Sequence, residues 1–201
     1  TLNDNKFSGT IPDLSGVMLM TLGMDFNKDM PEIPAADHLP SPQSLLIMKL
    51  GAGEGITEIP HNLQIPRGVQ VLAFTGGFGG KFPTHFFDTL EALPDLEILT
   101  LCDFDVDLSA NHQDPMVYSS RSRNSFSGPV PEEISQLSKS LLMLSLAYNE
   151  FTSTDGLPAP LKGFTEATAM YLQHNKFSGD IDPTGFEWKS MHVLNIKNNT
   201  L

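Results

Sequence analysis

Cysteine is nearly absent from this chain. Cys102 is the only cysteine among 201 residues, so no disulfide can form within the chain. A thiol becomes a nucleophile in an electropositive setting, whereas Cys102 is followed by the acidic segment that begins at Asp103. The sequence therefore argues against a catalytic role for this cysteine.

Basic residues are also scarce. The chain has 12 Lys and Arg against 24 Asp and Glu, which gives a formal net charge of -12. Binding to nucleic acid requires a basic stripe, so we expect no nucleic-acid partner. A basic protein, a cation or an uncharged polymer remains compatible with this charge. No apolar run of membrane-spanning length is present either, and we expect no membrane contact by this segment.

Internal repetition is what the chain does have. One segment of seven or eight residues occurs three times in related form, each with Asn followed by Phe, Ser and Gly at fixed spacing. A tandem array usually offers one long surface to a partner and seldom builds a catalytic pocket. The copies begin at Asn5 (N-K-F-S-G-T-I-P), Asn124 (N-S-F-S-G-P-V-P) and Asn175 (N-K-F-S-G-D-I).

An aliphatic pattern, L-x-x-L-x-L, precedes most of these segments. Its last residue recurs every 20 to 28 positions, except for one interval of 45 that ends at Leu146. The copies include Leu45/Met48/Leu50, Val69/Leu72/Phe74, Leu96/Leu99/Leu101, Leu141/Leu144/Leu146, Ala167/Met170/Leu172 and Met191/Leu194/Ile196.

This pattern resembles the leucine-rich repeat, and F-S-G-x-I-P is similar to its plant-type subclass, found in receptor-like ectodomains of plants and algae. The resemblance implies an α/β repeat solenoid with a parallel β-sheet on the concave face and irregular or short 3-10 or helical returns on the convex side. We expect one solenoid of about eight repeats over residues 1–201, the first and last of them partial.

Each repeat position has a physical role. In L-x-L the aliphatic residues enter the core and the residue between them faces outward on a strand. The amides of Asn149, Asn175 and Asn199 both donate and accept, which suits capping of backbone groups where each strand ends. Gly supplies a turn that a β-carbon would resist.

The resemblance also bears on location and chain ends. Extracellular members of the subclass commonly carry terminal cysteine pairs, which this chain lacks, and its sequence starts and stops inside a repeat. We therefore expect it to be part of a longer chain. The resemblance itself implies a location outside the cell or at its surface. Asn198 heads an N-x-T triplet and is a candidate glycosylation site.

The long interval indicates an insertion at about 104–123. Asp103, Asp105 and Asp107, with Asp114, have a spacing that echoes a calcium-binding EF-hand loop. Leu108 stands where that loop needs Gly, so an acidic solvated loop is favoured over a Ca²⁺ site and no cofactor is expected.

The outward strand positions form the other candidate surface. Tyr148, Tyr171, Gln173 and His174 fall on adjacent strands, about 4.8 Å apart, and are expected to form an exposed patch. Tyr offers a large rigid area with a polar tip, which favours interfaces, although single exposed aromatics are common on any surface. Lys49 and Asp103 are further candidates for partner contact.

No catalytic constellation is visible. The six histidines lie in different repeats without metal-ligand spacing: His38, His61, His85, His112, His174 and His192. We therefore expect a non-enzymatic recognition module that binds a protein, peptide or glycan through its concave face and inserted loop. A scaffold that assembles by repeat stacking is the alternative, and ice or mineral binding ranks last because outward threonines (Thr21, Thr75, Thr100) form no aligned column.

Overall fold

A computed structural model describes most of the chain. The described residues are 13–24, 38–41, 43–52, 57–59, 63–102, 104–106, 116–118, 124–182 and 184–201, with 104–106 and 116–118 described as backbone. The expected count of about eight repeats stays a prediction, because residues 1–12 lie outside these ranges.

Thirteen strands are present among the described residues. In chain order they are β1 (Thr21–Met24), β2 (Ile47–Gly51), β3 (Val71–Gly76), β4 (Gly79–Gly80), β5 (Ile98–Thr100), β6 (Phe104–Val106), β7 (Met116–Tyr118), β8 (Ser125–Pro129), β9 (Met143–Ser145), β10 (Glu150–Ser153), β11 (Ala169–Tyr171), β12 (Lys176–Phe177) and β13 (Val193–Asn195).

The L-x-L segments build one large parallel sheet. Its order is β1-β2-β3-β5-β9-β11-β13, so every strand lies beside the strand of the next repeat. The register aligns the repeats: Leu72 pairs with Leu99, Leu99 with Leu144, and Leu144 with Met170. This sheet and the return segments confirm the expected α/β repeat solenoid.

A second, smaller sheet runs along the F-S-G segments. Its order is β12-β10-β8-β4, again parallel, and a single bridge from Ser178 to Thr200 extends it. The sequence pattern predicts a turn at these Gly residues but does not predict the strands. They form because consecutive copies of the same segment stack at strand spacing, which lets their backbone groups pair.

The returns on the other side are short helices. Helix α1 spans Phe86–Glu91, and two 3-10 helices span Glu132–Lys139 and Ala159–Leu161. Among the described residues, no helix is long and apolar enough to cross a membrane.

The main core lies between the large sheet and these returns. The inward leucines are buried, and the Phe of each F-S-G segment continues the core sideways. Phe78, Phe126 and Phe151 stack along the solenoid axis, with successive ring centroids 6.3 Å apart. Each ring therefore packs on the next repeat, so the repeats stabilise one another.

Candidate functional site

The outward face of the large sheet carries two aligned rows of residues. The register pairs Ala73 with Thr100, Thr100 with Ser145, and Ser145 with Tyr171. The residues two positions later repeat the same spacing, Thr75 inside β3 and the others just beyond the ends of β5, β9, β11 and β13. We call these the first outward row (Lys49, Ala73, Thr100, Ser145, Tyr171, Asn195) and the second outward row (Thr75, Cys102, Ala147, Gln173, Lys197).

The middle of both rows is buried, which corrects the expected exposed patch. Tyr171 is 0% exposed and Gln173 is 3% exposed, so the expectation that they face solvent is wrong. Cys102, just beyond the end of β5, is 0% exposed as well, although it packs apart from the main core. Alternation correctly sets the direction of these side chains, but it says nothing about what lies above them. Ala73, Thr75, Thr100, Ser145 and Ala147 are buried in the same way.

These outward residues form a second core with its own polar contacts. Ala73, Cys102, Ala147, Ala169 and Tyr171 pack together apart from the main core. The Cys102 thiol lies 3.1 Å from the Ser145 hydroxyl. Thr100 Oγ1 lies 3.6 Å from the same sulfur, so two hydroxyl groups are among its contacts.

Hydroxyl and amide groups on this face differ in whether they have a hydrogen-bond partner. The Thr100 hydroxyl donates to the Cys102 carbonyl oxygen over 2.8 Å. Thr75 Oγ1 and Gln173 Oε1, by contrast, have no hydrogen-bond partner among the described residues. The second outward row therefore presents two buried polar atoms, at Thr75 and Gln173, three strand spacings apart.

Beside the second row, one residue per repeat forms a strip that we call the aromatic edge: Tyr148 and His174, which are half-buried, and Asn198, which is exposed. All three adopt left-handed backbone conformations, with φ of 55°, 57° and 57°. The rings of Tyr148 and His174 stack with centroids 4.3 Å apart and an interplanar angle of 14°. Asn198 Nδ2 lies 2.9 Å from His174 Nε2, which accepts when the neutral ring carries its proton on Nδ1. The structure thus brings together the half of the expected patch that remains accessible.

An asparagine ladder holds this edge in place: Asn124, Asn149, Asn175 and Asn199. Each Oδ1 accepts from the backbone N–H of the Phe in the preceding repeat, as in Asn149 with Phe126 at 3.1 Å. Each Nδ2 donates to carbonyls at strand ends, as in Asn149 with the Leu101 oxygen at 2.7 Å. The expected capping role of Asn149, Asn175 and Asn199 has this geometric basis.

Asn124 belongs to the ladder although its distance in sequence from Leu101 does not predict this. It follows Leu101 by 23 positions instead of three, because the insertion separates them, yet its Nδ2 donates to the Leu101 oxygen over 2.9 Å. The N-S-F-S-G copy that begins at Asn124 was the available signal. The ladder is therefore continuous across the insertion.

Most of the remaining candidate residues lie outside the described ranges or are described only as backbone. Lys49 lies in β2 and is half-buried. Asp103, Asp107 and Asp114 lie outside the described residues, and Asp105 is described only as backbone in β6. Within the described ranges, no group of three His, Cys, Asp or Glu is arranged to hold a metal ion.

A cleft opens on the side of the small sheet, away from the outward rows. Its volume is about 360 Å³, and its lining includes Thr152, Lys162, Asp182 and Phe186. The Thr184 hydroxyl and backbone N–H donate to Asp182, which lowers the pKa of this carboxyl below its usual value. Asp182 is fully exposed, so the cleft offers a charged rim without a buried polar anchor.

Comparison with known proteins bears on the fold. No family model matches the chain, and no curated relative does so either. The ectodomain of the receptor kinase GASSHO1/SCHENGEN3 from Arabidopsis thaliana, solved with CASPARIAN STRIP INTEGRITY FACTOR 2, matches with a TM-score of 0.60 at 21% identity. That match covers 98% of this chain. The chain has the fold of a plant-type leucine-rich repeat ectodomain.

Two further solved structures share this leucine-rich repeat fold at higher identity. The PEPR1–AtPEP1 structure matches at 26% identity and a TM-score of 0.54, over 81% of this chain and 19% of the other. A plant ice-binding protein matches at 26% identity and a TM-score of 0.51, over 78% of this chain and 42% of that protein. The present chain spans about a fifth of the length of the two receptor ectodomains, 21% and 19%.

Proposed function

We propose that this leucine-rich repeat chain recognises a peptide or protein ligand outside the cell, with the aromatic edge as its accessible contact surface. The stacked Tyr148–His174 pair carries the proposal, because two rings held 4.3 Å apart form a rigid and partly exposed platform. Rigid aromatic side chains lose little entropy on binding and dominate many interfaces. The neighbours GASSHO1/SCHENGEN3 and PEPR1 were solved with CASPARIAN STRIP INTEGRITY FACTOR 2 and AtPEP1, which supports a ligand of this class.

The net charge of the chain restricts the chemical class of the ligand. The net charge of -12 favours association with a peptide that carries basic residues, since complementary potentials raise the encounter rate. Lys49 and Asp103 remain proposed contacts, whereas Tyr171 and Gln173 meet a ligand only if their cover is displaced.

The sequon at Asn198 adds a constraint to this proposal. Asn198 lies on the aromatic edge, and its Nδ2 contacts the His174 ring. A glycan on this nitrogen would replace that contact and occupy the edge. We therefore propose that the ligand-binding form carries no glycan at Asn198.

A capture experiment with matched variants tests the proposed function. The chain is used as bait in an extract of its source, and the partner's affinity is measured by calorimetry for Tyr148→Ala with His174→Ala. We expect affinity to fall at least about 30-fold, because truncated aromatic anchors cost about 2 kcal/mol or more. The control pair Glu150→Ala with Lys176→Ala removes an exposed ion pair with a 2.8 Å separation and should leave affinity unchanged.

Other results would contradict this function. Equal affinity in both variant pairs would show that the aromatic edge makes no contact with the partner. Concentration-dependent self-association in light scattering, with no other partner captured, would favour the scaffold alternative. The similarity to an ice-binding protein gains no support from the outward face, since Thr75 and Thr100 are buried there.

A further inference from the structure

The burial of the outward rows requires a second layer above the sheet. Tyr171, Cys102 and Ala147 each have no exposed surface, although they point away from the main core. The curvature of a solenoid sheet narrows its concave face but does not seal a tyrosine ring from water. Layers that pack on a sheet face lie about 10 Å from it. Only this chain is present, so the covering atoms belong to the chain itself.

The hairpin of β6 and β7 has an apolar face that needs a surface to pack on. These strands pair antiparallel, with Phe104 opposite Tyr118 and Val106 opposite Met116. By strand alternation those four positions belong to one face of the hairpin, and all four hold apolar or aromatic residues. An isolated two-stranded hairpin is marginally stable in water, so an apolar face of this kind requires a surface to pack against.

Connectivity puts the hairpin next to the buried rows. β6 starts two residues after Cys102, which is within about 7 Å along the chain. The segment rejoins the solenoid at Asn124, whose Nδ2 donates to the Leu101 oxygen over 2.9 Å. The excursion therefore leaves and re-enters at the same edge of the outward face. The rows from β3 to β11 span three strand spacings, about 14 Å, which is well within the reach of 21 intervening residues.

We propose that the β6–β7 hairpin packs on the outward face as a second layer and occupies the groove over Cys102, Ala147 and Tyr171. This inference does not depend on the proposed function. The chain's own hairpin fills the centre of the groove, and the aromatic edge is left for a partner.

The single cysteine provides a direct test without any ligand. Cys102 lies under the proposed contact, so its rate of modification by Ellman's reagent reports whether the face is covered. We expect slow modification in the intact chain. Replacing residues 104–122 with a short Gly-Ser linker should raise the rate at least about 10-fold, while circular dichroism and urea unfolding show that the solenoid persists.

Point variants separate the two faces of the hairpin. Val106→Asp and Met116→Asp place a charge at apolar-face positions and should each raise the modification rate. Val117→Asp, on the opposite face of the same hairpin, is the matched control and should leave the rate unchanged. Asp105, which pairs with Val117, shows that this face already tolerates a carboxylate.

Two outcomes would overturn the proposal. Cys102 that stays protected in a folded chain without the hairpin would show that the sheet alone excludes the reagent. Rapid modification in the intact chain, at the rate of the urea-unfolded protein, would show that the face is open. Neither result depends on a partner, so the recognition function stands or falls separately.

Discussion

Replacing Asn149 by alanine is expected to lower the free energy of unfolding by about 3 to 5 kcal/mol. Asn149 is buried, and its Nδ2 donates to the carbonyl oxygens of Leu101, Leu146 and Ala147. Its Oδ1 accepts from the Phe126 N–H over 3.1 Å. Alanine leaves these backbone groups without their partner in a water-poor site, and each such group costs about 1 to 3 kcal/mol.

Urea unfolding followed by circular dichroism measures this loss. Glu150→Ala is the control, because the neighbouring Glu150 is exposed and forms only a surface ion pair with Lys176. Such pairs contribute at most about 1 kcal/mol. If Asn149→Ala and Glu150→Ala lower stability equally, the asparagine ladder does not hold the repeats together.

The second large effect is expected for Gly179→Ala, at about 3 kcal/mol or more. Gly179 has φ of 100°, a conformation that costs a residue with a β-carbon about 1 to 2 kcal/mol. An added Cβ would also lie 2.7 Å from the Gly156 nitrogen and would collide with the Thr154 carbonyl oxygen. Both obstacles are backbone atoms of the preceding repeat, so the two turns would have to separate.

Gly128 offers a matched control in an equivalent turn. Its φ is 85°, but among the described residues a Cβ there would find only Lys81 Cγ, at 3.9 Å. Gly128→Ala should therefore show the conformational cost alone, about 1 to 2 kcal/mol. Equal losses of stability at both sites would mean that the close approach between turns does not constrain the solenoid.

Local pattern was sufficient to predict the repeats of this chain. The aliphatic spacing carried the resemblance that implied the parallel sheet, and the amide chemistry predicted the role of Asn149, Asn175 and Asn199. These inferences succeeded because each repeat position contacts the same position of its neighbour, so a one-dimensional pattern carries the contact information.

The same logic failed at the insertion. Asn124 joins the ladder 23 residues after Leu101, since a hydrogen bond depends on spatial proximity and not on chain spacing. The strands β6 and β7 also lie outside the repeat pattern, and nothing in that pattern indicates their pairing.

Sequence pattern therefore established the fold and which side of each strand faces outward, because alternation and repeat spacing are local properties of the backbone. It could not establish which outward residues meet water. The burial of Tyr171 and Gln173, and the partial exposure of Tyr148 and His174, depend on atoms from distant parts of the chain. Accessibility is a property of the folded layers, so only the tertiary structure could divide the expected patch into a buried half and an accessible edge.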